Sequence, residues 1–235
     1  MKFPYQVDIL INYNIFSSYE AYRSLYEKSL KKPVFLLGTD YLPLRKEFSF
    51  CRIKDPNKKV KNVLVLTGGG DPEHVGIRFL TYIYEMQEFF ANLNFYFVIG
   101  LANKDYDIMQ RISTNMPNVF LLQNVRKMCK LMNVCDLAIS ASGSTLYELA
   151  VTGVPTISYV IAMNQKNIAD SFEKKGITKN IGYINNEKSF VSSVFQSLTE
   201  LTNDYAIRKE MVNKGYNEIK KNGSNNIVEQ IIGLI

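Results

Sequence analysis

The chain has 235 residues, 46% hydrophobic and 21% charged, and its 28 Lys and Arg outweigh 22 Asp and Glu to leave a formal net charge of +6. That composition belongs to a folded globular protein and excludes a disordered chain. No apolar run reaches the about 18 residues of a membrane span, and the opening MKFPYQVDILINYN does not read as a signal peptide, so a cytoplasmic protein with no integral membrane segment is expected.

In chain order, residues 6–14 and 33–38 read as short strands. Between them SSYEAYRSLYEKSLKK has the Ser-rich start, apolar spacing and basic end of a helix. The charged stretch RKEFSFCRIKDPNKKVKN contains the turn residues Asp55, Pro56 and Asn57, and a domain boundary is expected near residues 50–61. Beyond it the pattern becomes regular. Val63-Leu64-Val65-Leu66 is an unbroken apolar run, followed by an amphipathic stretch at about 73–91. Strands at 95–100, 119–123, 137–140 and 154–160 then alternate with helices near 105–114, 125–133 and from about 144. Helices near 165–175, 187–200, 204–220 and 224–234 complete the chain. Strands without polar alternation are buried on both faces, and their alternation with helices predicts an α/β fold. The expected architecture is a Rossmann-like parallel sheet with helices on both faces. Residues 1–50 offer two strands and one helix, too little for a core of their own. They read as a partial N-terminal α/β domain, and residues 51–235 as the main domain.

Three cysteines, Cys51, Cys129 and Cys135, form no CxxC pair, and an odd count predicts free, mostly buried thiols. With one histidine, His74, no metal site is expected. Basic residues are scattered without interleaved aromatics, which argues against nucleic acid.

Ligands of open α/β sheets sit beyond the carboxyl ends of the strands. Ser140-Ala141-Ser142-Gly143-Ser144-Thr145-Leu146-Tyr147-Glu148 is the strongest loop, because an apolar strand there runs through small residues into a helix. The first-turn N–H groups and the positive end of the helix dipole favour a phosphate. The hydroxyls of Ser144 and Thr145 add donors, and Glu148 is placed to accept a ribose diol. Equally, Gly143 could make a tight turn, Ser144 cap the helix and Glu148 favour its start. Thr67-Gly68-Gly69-Gly70-Asp71 gives a ligand room, or is a turn that Asp71 caps. The backbone around Val125 could read a base edge, Asn164 and Gln165 could hold sugar hydroxyls, and Tyr41 could reach a cleft. Each of these also reads as a loop, cap or packing residue. His74 has no partner spaced for a catalytic triad and reads as a surface or packing residue.

The stretches GTDYLPLRKEF, VLVLTGGGD, VRKMCKLMNVCDLAISASGSTLYELAVTGVP and NQKNIADSFEKKG resemble the C-terminal part of GT-B-type sugar-nucleotide proteins. Among these, the chain resembles the UDP-sugar hydrolase of pseudaminic acid synthesis and its spore-coat polysaccharide relatives, and more distantly the lipid II-forming GlcNAc transferase. The resemblance implies a UDP-sugar partner and no further cofactor. It assigns the uracil to Val125, the diphosphate to Gly143, Ser144 and Thr145, and the ribose to Glu148. Gly69 and Asp71 would line the cleft floor, Asn164 and Gln165 face the sugar, and Tyr41 enter from the other domain. The hydrolase family's catalytic histidine follows a Gly-rich segment near the start of its N-terminal domain, and nothing in this chain matches that segment. The catalytic group is therefore left unassigned. The chain reads as part of a UDP-sugar hydrolase or glycosyltransferase, or as a binding module without turnover, which a missing N-terminal domain or self-association would complete.

Overall fold

A computed structural model describes residues 4–184 and 188–234, the side chain of Lys188 excepted. The chain begins with β1 (Ile9–Asn12), α1 (Tyr19–Tyr26) and β2 (Val34–Leu37), in which β1 and β2 pair in parallel as a sheet of their own. A 3₁₀ turn at Thr39–Tyr41 and the short α2 (Lys46–Ser49) follow. Then come β3 (Asn62–Leu66), α3 (Val75–Glu85), β4 (Asn94–Val98), α4 (Tyr106–Ser113), β5 (Val119–Leu122) and α5 (Met128–Val134). The chain continues through β6 (Leu137–Ala141), α6 (Thr145–Thr152), β7 (Thr156–Val160), α7 (Lys166–Lys174) and β8 (Thr178–Tyr183). It closes with α8 (Lys188–Asn203), α9 (Tyr205–Glu218) and α10 (Gly223–Ile232). Residue 187, the expected start of α8, lies outside the described residues.

The six later strands form one parallel sheet in the order β5-β4-β3-β6-β7-β8. This is the α/β Rossmann-like architecture that the apolar runs predict. Both faces are covered, so successive β3 residues enter different cores. Val63 and Val65 pack with Phe79 of α3 and Phe195 of α8, whereas Leu64 and Leu66 pack with Met132 of α5 and Leu146 of α6. Sequential strands joined through helices place the carboxyl ends of all six on a common edge. Among the described residues no helix is long and apolar enough to cross a membrane.

The last two helices return to the 3₁₀ turn after β2. Asn226 Nδ2 donates to Asp40 O at 2.7 Å, and Thr39 Oγ1 donates to Glu218 O at 2.8 Å. Beneath the main sheet, Asp136 gathers the connector, accepting from Lys54 Nζ at 2.8 Å, Asn57 Nδ2 at 2.6 Å and the amides of Lys61 and Asn62.

Four expectations change. The strand β8 carries no apolar run, because as an edge strand with mostly half-buried positions it uses Lys179, Asn180 and Gly182. The helix expected at 73–91 stops at Glu85. The chain then turns, and Phe90 enters the core against Phe95 and Phe195. The expected connector contains α2. The sulfurs of Cys51 and Cys129 are joined across a Cα–Cα separation of 6.3 Å, so the expectation of free thiols holds for the buried Cys135 alone.

Candidate functional site

The turn between β6 and α6 is held from several sides. Ser142 N donates to Tyr159 O of β7 at 2.8 Å, and Gly143 N donates to Ala141 O at 2.9 Å. Tyr147 is buried and its hydroxyl accepts from Ile15 N at 3.0 Å. Behind the helix, Gly153 closes α6 with φ +75°, and a Cβ there would lie 2.6 Å from Lys54 O. Only glycine fits that approach without strain. α6 is thereby fixed by the protein's own contacts.

Its first turn is incompletely bonded. Among the described residues, the N–H groups of Ser144 and Thr145 take no partner. Ser144 has φ −58° and ψ −23°, is exposed, and makes no side-chain cap bond, so its hydroxyl is free as well. A Cβ on Gly143 would meet open space. Beside the turn, Ser142 Oγ is fully buried and unpartnered. The amide of Gly143 is spent internally, which leaves two donors rather than three on the dipole's positive end. Such a turn accepts an anion without breaking a protein hydrogen bond.

One turn into α6, Glu148 Oε1 accepts from Arg45 Nε at 2.8 Å. Arg45 also approaches Glu47 Oε1 at 3.2 Å and lies 4.9 Å from the centre of the Phe48 ring. Glu47 Oε2 in turn accepts from Cys129 N at 3.2 Å. The Arg45 and Glu148 side chains are 52% and 15% exposed, so the pair borders solvent. Arg45 and Glu47 were read only as part of a charged connector, although they lie in the stretch GTDYLPLRKEF that carries the resemblance.

The other expected residues are more dispersed. Val125 is half-buried against the core shared with α5 and α6, and its backbone N–H and C=O take no partner among the described residues. Gly68, Gly69 and Gly70 border open space, and Gly69 O presses on the exit of β4, where a Cβ on Gly100 would lie 1.8 Å away. Asp71 is turned inward at 2% exposure and caps α3, accepting from Val75 N at 2.9 Å and Gly76 N at 2.7 Å. Burial raises its carboxyl above the usual range. Asn164 is exposed in a 3₁₀ turn at Met163–Gln165, where Gln165 Oε1 accepts from Ile161 N at 2.9 Å. Tyr41 is half-buried on the turn that packs against α10. No hydrogen bond joins Tyr41, Asn164 or Gln165 to the α6 turn among the described residues. No cluster of three or more His, Cys, Asp or Glu suited to a metal is gathered among those residues either.

Residues 42–179 match the family model described as lipid-A-disaccharide synthetase. The chain is 30% identical over 146 residues to the spore coat polysaccharide biosynthesis protein SpsG of Bacillus subtilis, a match covering 62% of this chain and 43% of that protein. It is 29% identical over 145 residues to the pseudaminic acid cytidylyltransferase and UDP-2,4-diacetamido-2,4,6-trideoxy-beta-L-altropyranose hydrolase of Helicobacter pylori, covering 62% of this chain and 25% of that one. The crystal structure of MurG from Acinetobacter baumannii superposes with a TM-score of 0.63 at 16% identity, covering 96% of this chain and 66% of that one. At that identity the likeness is one of fold. In both curated relatives the match spans less than half of the protein's length.

Proposed function

The chain belongs to the lipid-A-disaccharide synthetase family, among GT-B-type sugar-nucleotide proteins whose relatives carry the names of polysaccharide synthesis, and from that premise we propose that it binds a UDP-sugar at the carboxyl edge of the main sheet. The observation that carries this reading is the pair of unpartnered amides at Ser144 and Thr145 on a rigidly held helix N-terminus. In it the diphosphate lies against Gly143, Ser144 and Thr145, and the free Ser144 hydroxyl adds a third donor. Glu148 takes the ribose diol with the carboxylate oxygen that Arg45 leaves open. The unpaired backbone of Val125 reads the uracil edge, Asn164 and Gln165 face the sugar, and Tyr41 borders the cleft. Gly69 supplies open backbone at the floor, and Asp71 supports that loop from within by capping α3.

In this proposal residues 51–235 are the sugar-nucleotide unit and residues 1–50 belong to a second α/β unit, as the separate β1-β2 sheet suggests. Acting as a hydrolase, the site would bring water to the anomeric carbon. The new C–O bond forms as the bond to the β-phosphate oxygen breaks, yielding free sugar, UDP and a proton. The α6 donors stabilise the charge that grows on the departing diphosphate. A second reading is binding without turnover by these residues, with the catalytic group supplied from elsewhere.

Calorimetry tests the binding claim. UDP is expected to bind at least tenfold tighter than ADP, because base selection is assigned to the Val125 backbone. No heat at millimolar UDP contradicts it. UDP release from UDP-N-acetylhexosamines by this chain alone separates the two readings, since steady turnover excludes the binding module.

A further inference from the structure

His74 stands at the same edge, between the first turns of α3 and α4. Its backbone is left-handed, with φ +54°, a conformation uncommon for a residue with a side chain. Its Nδ1 lies 2.7 Å from Asp105 Oδ2, and its side chain is 59% exposed. Asp105 is itself positioned, since its N–H donates to Asn103 Oδ1 at 2.7 Å, and Asn103 Nδ2 reaches toward Asp71 at 3.5 Å. An ionised carboxylate only accepts, so Nδ1 carries the proton and Nε2 points away from the pair. Among the described residues Nε2 has no partner.

Sheet order gives this imidazole its place. β5, β4, β3 and β6 are consecutive, so the loop at Val125 and the turn at Ser144 are three strand spacings apart, about 14 Å. A nucleotide spanning them crosses the ends of β4 and β3, where Asp105 and His74 stand. The ends of β6 and β3 also meet at one residue. Tyr159 accepts from Ser142 N through its carbonyl and donates its hydroxyl to Leu66 O at 3.2 Å, and Asp71 lies close enough to act electrostatically on both Tyr159 and His74.

We infer that His74 is a phosphate-contacting residue, its imidazolium Nε2–H donating to a non-bridging oxygen of the nucleotide, an assignment that rests on the UDP-sugar reading. Asp105 is its positioning residue. The charged groups acting on the ring are Asp105, then Asp71 and Glu73, all acidic. The hydrogen bond to Asp105 and these charges raise its pKa above the ordinary histidine value, so the donor form persists toward neutral pH and is lost as pH rises through that raised pKa.

The chain has one histidine, so the imidazole resonances of histidine-labelled protein report His74 without ambiguity. Saturating UDP is expected to raise the midpoint of its titration by about one pH unit, which by linkage is about a tenfold preference of UDP for the protonated form. Uridine, which lacks phosphate, is expected to leave the midpoint in place. His74→Asn, whose side chain tolerates the left-handed backbone, is expected to weaken UDP about tenfold at pH 6 and less than twofold at pH 9. If calorimetry detects bound UDP while midpoint and affinity stay unmoved, this inference falls and the nucleotide site stands. If UDP gives no heat with the parent protein, both fall together.

Discussion

Arg208→Met is expected to lower the unfolding free energy by about 3–5 kcal/mol, the cost of leaving four main-chain carbonyls without their charged donor. Arg208 is fully buried in α9. Its Nη1 donates to Leu201 O and Thr202 O, and its Nη2 to Asn57 O at 2.8 Å and Lys58 O at 2.9 Å. One side chain thus fastens the connector before β3 to the junction of α8 and α9. Methionine replaces the stem but strands four carbonyls without donors. For a chain of this size each kcal/mol moves the melting temperature by about 2–4 °C, so a fall of roughly 6–20 °C is expected in a thermal unfolding scan. Arg208→Lys keeps a charge but not the planar fork, and should recover only part of the loss. UDP affinity measured well below the transition should not change, because the clamp lies at the opposite edge of the sheet. A loss below about 1 kcal/mol would mean that the four carbonyls find other donors.

Glu148→Ala has the second largest expected effect, and it falls on binding. A carboxylate accepting from a ribose hydroxyl contributes about 1.5–3 kcal/mol, or roughly ten- to a hundredfold in UDP affinity. Stability should change by less than about 1 kcal/mol, because the bond broken within the protein is a solvent-bordering pair with a half-exposed Arg45. Arg45→Met separates the two roles of the carboxylate. If Glu148 serves only to hold Arg45, both variants shift stability alike and leave UDP affinity alone. If Glu148 takes the ribose, UDP affinity falls steeply for Glu148→Ala and far less for Arg45→Met. Calorimetry and thermal unfolding on the same samples read both quantities.

The parts of this molecule legible in its sequence are those decided locally. Val63 to Leu66 could be read as a buried strand because both faces of that strand meet apolar helices. β8 could not, because an edge strand needs no apolar run. The stretch after Glu85 kept an apolar spacing suited to a helix, yet Phe90 serves the core from a turn, and spacing alone does not separate those outcomes. Long-range partners were beyond reach. Arg45 meets Glu148 across 103 residues, and Cys51 meets Cys129 across 78. At the α6 turn the sequence left two roles open for Ser144, the cap and the phosphate donor, and the structure shows no cap bond. Its αR conformation with no cap bond leaves both hydroxyl and amide uncommitted, the observation on which the proposed anion site rests. For Asp71 the same test points inward, to the amides of Val75 and Gly76.

The amide of Ser144 can be removed without disturbing the protein's own bonds, which makes it the most direct probe. Proline holds φ near the −58° that Ser144 already adopts, it deletes only an N–H that has no partner, and the residue before it is Gly143, which offers the ring no Cβ to strike. Calorimetric titration of UDP into the parent and Ser144→Pro, at matched melting temperatures, should show about a tenfold or greater loss of affinity in the variant, with Ser144→Ala losing less. Equal affinity in a folded Ser144→Pro protein would mean that no phosphate lies against this amide, and the proposed anion site would have to be abandoned.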